Sequence, residues 1–257
     1  MSAETILETQ GLTKEFKGFV AVNNVDLKVR RGDIHALIGP NGAGKTTFFN
    51  LLTKFLPPTS GKITYRGEDI TNERPAQTAR RGIVRSFQIS AVFPHMTVLE
   101  NVRAALQRNL GTSFHFWKPE KSLFHLHDRA VELLHTVDLQ DFAEELTVNL
   151  PYGRKRALEL ATTIALEPDL MLLDEPTQGM GHEDVHRVTR LIKKVSQGRT
   201  ILMVEHNMNV VSSIADRITV LQRGAVIADG PYAEVSRNPQ VIVAYMGAAD
   251  TELQGAH

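Results

Sequence analysis

The chain has 257 residues, of which 42% are hydrophobic and 23% charged, the ordinary composition of a globular domain. Its 29 basic and 29 acidic side chains balance, which argues against a broad nucleic-acid-binding surface. It contains no cysteine, so disulfides, a thiol nucleophile and cysteine-based metal sites are excluded.

The first third of the chain is predicted to form strands. Its start, MSAETILETQ, has no signal-peptide pattern, and no later stretch approaches the roughly 20 apolar residues that span a bilayer. The segments ILETQ, VNNVDLKV and DIHALIG are short and rich in β-branched residues. GKITYRGEDI predicts a hairpin turning at Arg66 and Gly67, and TTFFNLLTKF predicts a helix that stops before Pro57.

The rest of the chain is predicted to alternate between helices and buried strands. Thr97 and Glu100 form a capping-box pattern that opens the helix TVLENVRAAL, whereas 108–128 is irregular. DLMLLDE and RTILMVEH predict buried strands on either side of the helix HEDVHRVTRLIKKV. Uniformly apolar strands between helices predict an α/β core with a parallel sheet, interrupted by a mostly helical insert from about Gln88 to Glu167.

The sequence GPNGAGKTT at 39–47 matches the P-loop pattern and lies between a predicted strand and a predicted helix. Lys45 is expected to reach the β- and γ-phosphates of a nucleotide, and the Thr46 hydroxyl to bind Mg²⁺. The alternative is a glycine-rich turn without a ligand. The predicted phosphate-binding residues are Gly39, Pro40, Asn41, Gly42, Ala43, Gly44, Lys45, Thr46 and Thr47.

Two later strand ends supply acidic and basic groups for the same chemistry. Asp174, at the end of LMLLDEP, is expected to hold Mg²⁺, and Glu175 to orient and deprotonate the attacking water. The alternative is a solvated acidic pair that closes a strand. His206 follows TILMVEH and is expected at the same sheet edge, where it would hydrogen-bond the γ-phosphate. Its neighbour Glu205 is expected to be solvated or structural.

The P-loop, Gln88 after VRSF, LPYGR, LMLLDEP and His206, in this order, resemble the ATP-binding cassette (ABC) ATPases over essentially the whole chain. The resemblance implies a single domain over 1–257 with a P-loop NTPase, RecA-like core. This core and an N-terminal antiparallel β region would occupy 1–87 and 168–257, and a helical subdomain 88–167.

The resemblance also implies roles for individual residues. Phe16 would stack on adenine, and Gln88 would be the lid glutamine that contacts Mg²⁺ or water and touches the membrane partner. LPYGR stands in place of the family signature LSGGQ, so Gly153 would act in trans, on ATP bound to a second cassette. Pro151 lacks the hydroxyl and the N–H of the usual serine, which predicts a weaker hold on that ATP. Residues 177–184 occupy the position of the D-loop.

The insert at 108–128, the sequence VEHNM and the ending NPQVIVAYMGA resemble the ATPase subunits of prokaryotic importers of branched-chain and other hydrophobic amino acids. That resemblance implies transmembrane permease subunits, a solute-binding protein outside the membrane, and a peripheral location on the cytoplasmic face. The alternatives are a lipopolysaccharide-type exporter ATPase, a soluble cassette ATPase acting on ribosomes or DNA, and a regulatory module without turnover. Arg74, Arg80, Arg81 and Arg85 are interpreted as a surface beside the lid loop rather than a nucleic-acid site.

Overall fold

The computed structural model describes residues 4–86, 92–109 and 124–245; Gln88 and most of the 108–128 insert lie outside these ranges. The strands are β1 (Thr5–Phe16), β2 (Phe19–Arg30), β3 (Ile34–Ile38), β4 (Ser60–Tyr65), β5 (Glu68–Asp69), β6 (Ile83–Ser86), β7 (Leu170–Asp174), β8 (Thr200–Val204), β9 (Arg217–Gln222) and β10 (Ala225–Gly230). The helices are α1 (Lys45–Leu52), α2 (Pro75–Arg80), α3 (Val98–Asn109), α4 (Phe124–Thr136), α5 (Tyr152–Ile164), α6 (His182–Val195), α7 (Met208–Ile214) and α8 (Tyr232–Val235).

The strands form two sheets, and together with the helices they confirm the predicted α/β fold. A six-stranded sheet has the order β10-β9-β3-β8-β7-β6, and all its pairs are parallel except that of the edge strand β10 with β9. An antiparallel sheet of order β2-β1-β4-β5 is built from the N-terminal part of the chain. The carboxyl ends of β3, β6, β7 and β8 therefore meet at one edge of the parallel sheet.

The parallel strands are buried on both faces, which explains their uniformly apolar sequences. Along β8, Ile201 and Met203 belong to one hydrophobic cluster, whereas Leu202 and Val204 belong to another. The first cluster packs helices α3 to α7 against one face of the sheet. The second packs α1 and the antiparallel sheet against the opposite face. The P-loop helix is thus held between the two sheets.

The structure also contains the capping box and the hairpin that the local sequence predicted. Glu100 N–H donates to Thr97 Oγ1 (3.1 Å) and Thr97 N–H donates to Glu100 Oε2 (2.7 Å), so the capping box is present. The hairpin between β4 and β5 turns at Arg66 and Gly67, both with positive φ. α1 ends at Leu52, earlier than the sequence TTFFNLLTKF predicted. Among the described residues, no helix combines the length and apolarity needed to cross a bilayer.

Candidate nucleotide-binding site

The P-loop joins β3 to α1, and two of its glycines are required by close backbone packing. Gly39 has φ +150, and a Cβ there would lie 2.1 Å from the Leu221 carbonyl oxygen. Gly44 has φ +99, and a Cβ there would lie 2.3 Å from the Ala21 carbonyl oxygen. A side chain at either position would overlap the neighbouring strand, so the loop is fixed between β9 and β2.

Lys45 begins α1 and carries the positive charge of the loop. Only 8% of the residue is exposed, and its Nζ donates to the carbonyl oxygens of Gly39 (2.7 Å) and Pro40 (3.0 Å). Burial lowers the pKa of the Lys45 ammonium, and the nearby carboxylates of Glu175 and Asp174 partly offset that effect. The sheet edge therefore holds a desolvated ammonium close to two acidic groups.

Strands β7 and β8 bring the predicted acidic residues and His206 to that same edge. Asp174 pairs in register with Val204 and is 3% exposed, whereas the next residue, Glu175, is half-buried. The Glu175 N–H donates to the Val204 carbonyl (2.9 Å), and Glu175 has φ 46. This left-handed conformation is costly for a non-glycine residue and turns the chain sharply after the strand. The side chain of His206, just beyond β8, is 54% exposed.

Glu205 is fully buried, so the expectation that it is solvated is wrong and the structural alternative fits. Its carboxylate accepts hydrogen bonds from the backbone N–H groups of His206 (2.7 Å) and Asn207 (3.1 Å). It also accepts from the Thr177 hydroxyl and the Thr177 N–H. One carboxylate thus ties the His206 loop to the segment that follows Glu175. The sequence alone shows that residue 205 is acidic, but it does not show that its carboxylate is buried.

Arg85 corrects the interpretation of the basic cluster as one surface. Arg81 does lie towards solvent, where it pairs with Glu68 and Glu73. Arg85 instead points inward from β6, with a side chain that is 12% exposed. Its Nη2 donates to Asp174 Oδ2, and its Nη1 donates to Asn50 Oδ1 (2.6 Å). The alternation of a strand places consecutive side chains on opposite faces, but it does not reveal which carboxylate each one meets.

The signature segment, residues 150–154, lies at the start of α5. Gly153 is buried, and a Cβ there would lie 2.5 Å from Asp184 Oδ1, so this glycine makes room for α6 within the chain. The Arg154 guanidinium lies 3.7 Å from the centroid of the Phe142 ring, the geometry of a cation–π contact. Pro151 precedes the helix and makes no side-chain capping hydrogen bond.

Phe16, the predicted adenine platform, ends β1 and lies opposite Phe19 across the hairpin. It is 41% exposed, so its ring is accessible and is not part of the hydrophobic core. The Lys14 ammonium lies 5.2 Å from the Phe16 ring centroid. Gln88, the predicted lid glutamine, falls outside the described residues.

Comparison with known proteins agrees with this geometry. The family model described as "ABC transporter" matches residues 22–178, and one described as "Branched-chain amino acid ATP-binding cassette transporter" matches residues 225–251. The chain belongs to the ABC transporter family. It is 41% identical over 251 residues to the high-affinity branched-chain amino acid transport ATP-binding protein BraF of Pseudomonas aeruginosa, covering 95% of this chain and 98% of that protein. It is therefore an ATP-binding protein of the branched-chain amino acid transport type.

Solved ABC cassettes share the fold. The crystal structure of the ADP conformation of MJ1267, an ATP-binding cassette of an ABC transporter, superposes with a TM-score of 0.83 at 30% identity, covering 95% of this chain and 99% of that one. The dimeric, post-hydrolysis structure of the cassette MJ0796 bound to ADP and Pi gives 0.73 at 25% identity, covering 88% and 98%. The predicted ABC ATPase fold is confirmed.

The side chains at the P-loop edge of the sheet fit a Mg²⁺ ion that takes most of its ligands from phosphates and water. The described residues contain no cluster of three or more histidine and acidic side chains placed to bind a metal. Mg²⁺ in nucleotide sites needs only one or two protein oxygens, because phosphates and water supply the others. The exposed Thr46 hydroxyl in the first turn of α1 and the Asp174 carboxylate are oxygen donors of the required kind.

Proposed function

We propose that this cassette hydrolyses ATP and thereby drives the import of branched-chain or related amino acids through a membrane complex. The observation that carries the proposal is the convergence of the buried Lys45 ammonium with Asp174, Glu175 and His206 at the carboxyl edge of the parallel sheet. The match at 225–251 and the transport named for the relatives support the choice of solute.

The proposed roles use positions that the structure describes, except that of Gln88, which lies outside the described residues. The loop N–H groups and Lys45 bind the phosphates, and the exposed Phe16 ring stacks on adenine. Thr46, Asp174 and Gln88 would hold Mg²⁺, which would supply positive charge against the phosphate oxygens. Glu175 accepts the proton of the attacking water, and His206 hydrogen-bonds the γ-phosphate.

The proposed partners are a second cassette, permease subunits in the membrane, and a solute-binding protein that meets the permease from outside. The dimeric structure of the related cassette MJ0796 bound to ADP and Pi supports a second cassette as a partner. Gly153 is proposed to face the ATP of that cassette, because LPYGR stands in place of the family signature. A groove of about 390 Å³ between β6, α3 and α5, next to the exposed Phe93, is proposed to receive the permease. The chain would then lie on the cytoplasmic face of the membrane, with 88–167 as the subdomain that contacts the permease.

The proposal is tested by reconstitution. The tagged chain is purified from membranes of its own cell, the bound chains are identified, and the complex is placed in proteoliposomes with radiolabelled leucine and the solute-binding protein. We expect ATP-dependent leucine uptake that Glu175→Gln abolishes. The matched control is Glu132→Gln, a change at an exposed helix carboxylate that pairs with Arg129, and it should leave uptake intact. ATP hydrolysis without uptake of any hydrophobic amino acid would refute the proposed solute.

A further inference from the structure

Arg85 connects three elements around the proposed metal site. It extends from β6, and its two terminal nitrogens donate to Asp174 at the end of β7 and to Asn50 in the last turn of α1. Its guanidinium carbon lies 5.8 Å from the Phe49 ring centroid, on the same helix. Asn50 is one helical turn beyond Thr46, the other proposed Mg²⁺ ligand. Arg85 therefore contacts the side chain of Asp174 directly and the helix that carries Thr46 through Asn50.

We propose that Arg85 is a positioning residue for Mg²⁺ binding, which fixes the rotamer of Asp174 and its placement relative to α1. The inference rests on the function proposed above. The guanidinium binds Oδ2 of Asp174 and thereby restrains the rotation of that carboxylate. A planar fork that holds two partners in fixed directions is a property of arginine and not of lysine. Groups that hydrogen-bond a metal ligand typically change metal affinity or activity by about 10- to 100-fold when removed.

A purely neutralising role would be a weaker explanation of this geometry. Asp174 already lies close enough to the Lys45 ammonium to influence its pKa, so Arg85 is not its sole positive neighbour. The Arg85 Nε is buried and has no hydrogen-bond partner among the described residues. The side chain therefore gives up one hydrogen bond in the conformation that reaches both Asn50 and Asp174, as expected if that bridge is what matters.

The test measures ATP binding in two conditions, in excess EDTA and across a Mg²⁺ titration, so that metal affinity is read without hydrolysis. For Arg85→Gln we expect the Mg²⁺ concentration at half-saturation to rise by about 10-fold or more, with the affinity in EDTA unchanged within about two-fold. Arg85→Lys keeps the charge but cannot hold both partners, so it should also raise the half-saturation point. If Arg85→Gln does not fold, the Mg²⁺ titration of Arg85→Lys tests the positioning role instead.

Two controls make the result specific. Arg81 lies four residues before Arg85, and in the described structure it pairs only with Glu68 and Glu73. Arg81→Gln should therefore not change the Mg²⁺ dependence of ATP binding. In an Asp174→Asn background, adding Arg85→Gln should produce no further change, since the arginine acts through that carboxylate. Unchanged Mg²⁺ half-saturation in both Arg85 variants, or equal losses in EDTA and in Mg²⁺, would overturn the inference. If wild type binds ATP equally well in EDTA and Mg²⁺, the proposed Mg²⁺ site itself fails.

Discussion

The chain contains two glycine-bearing helix starts that differ in what surrounds them. At α1, Gly44 packs against the Ala21 backbone. The Lys45 ammonium, the P-loop carbonyls and the carboxylates of Asp174 and Glu175 lie close together within the same chain. At α5, Gly153 packs on the Asp184 carboxylate and Arg154 stacks on Phe142, so these residues are engaged with their own chain. A helix N-terminus therefore does not make a complete site by itself. The P-loop is surrounded by the side chains proposed for catalysis, whereas the signature segment is proposed to act on a nucleotide bound by a partner.

The largest effect is expected at the P-loop edge, from Glu175→Gln. Loss of the base should slow ATP hydrolysis by roughly 10²- to 10⁴-fold while ATP binding persists, because Lys45 and the loop remain intact. The measurement is steady-state phosphate release by the complex, together with retention of labelled ATP. Normal hydrolysis would remove Glu175 from the mechanism and reduce the contrast between the two helix starts.

Acid should weaken the sheet beneath the P-loop through His35 on β3. Burial is the main cause that lowers its pKa to about 4 from 6.5, with Asp229 opposing and Arg217 and Arg30 reinforcing the shift. Between these values the unfolded chain takes up the proton and the folded chain does not, so stability falls as pH drops from about 6.5 to about 4, by roughly 3 kcal/mol.

Urea unfolding at several pH values measures this effect, with His35→Gln as the comparison. The difference in unfolding free energy between wild type and variant should change across that pH window. His35 Nε2 lies 2.8 Å from Thr219 Oγ1, and a glutamine offers a neutral amide in its place. A pH-independent difference would show that His35 does not control the acid sensitivity of the sheet.

Features that depend on local sequence were predictable, whereas contacts between distant residues were not. The P-loop, the capping box and the strands β7 and β8 were predictable, because each depends on local spacing or on a run of apolar residues. The Arg85–Asp174 pair was not, since it joins residues 89 positions apart whose contact depends on sheet order. The burial of Glu205 was missed for the same reason, because its partner Thr177 lies on a different loop.

An intermediate effect is expected from Phe16→Ala. If the exposed ring stacks on the base, ATP and GTP affinity should both fall by about 1–3 kcal/mol, because stacking is tolerant of base identity. Thermal stability should hardly change, since Phe16 is 41% exposed. Titration calorimetry with both nucleotides measures this, and Phe19→Ala across the hairpin is the matched control. A loss of stability without a loss of affinity would assign Phe16 a packing role.

The smallest effect is expected at the signature segment, from Pro151→Ser. The change adds a hydroxyl and an N–H at the position that precedes α5, so ATPase turnover of the complex should rise by a few-fold. Serine is also a better N-cap, and the helix should gain about 0.5–2 kcal/mol. Turnover and melting temperature are measured together. A higher melting temperature with unchanged turnover would make Pro151 a helix-start residue without a role at the partner's nucleotide.

The most direct measurement of the difference between the two regions is the ATP affinity of the isolated 257-residue chain carrying Lys45→Ala or Arg154→Ala. Lys45 lies within the chain's own P-loop, so Lys45→Ala should weaken binding on the order of 100-fold, the value of a charge-assisted contact of about 3 kcal/mol. Arg154 stacks on Phe142 and belongs to the signature segment, which is proposed to act on a partner's nucleotide, so Arg154→Ala should leave affinity within about two-fold. Equal losses in the two variants, or an unchanged affinity in Lys45→Ala, would contradict the assignment of the nucleotide to the P-loop edge.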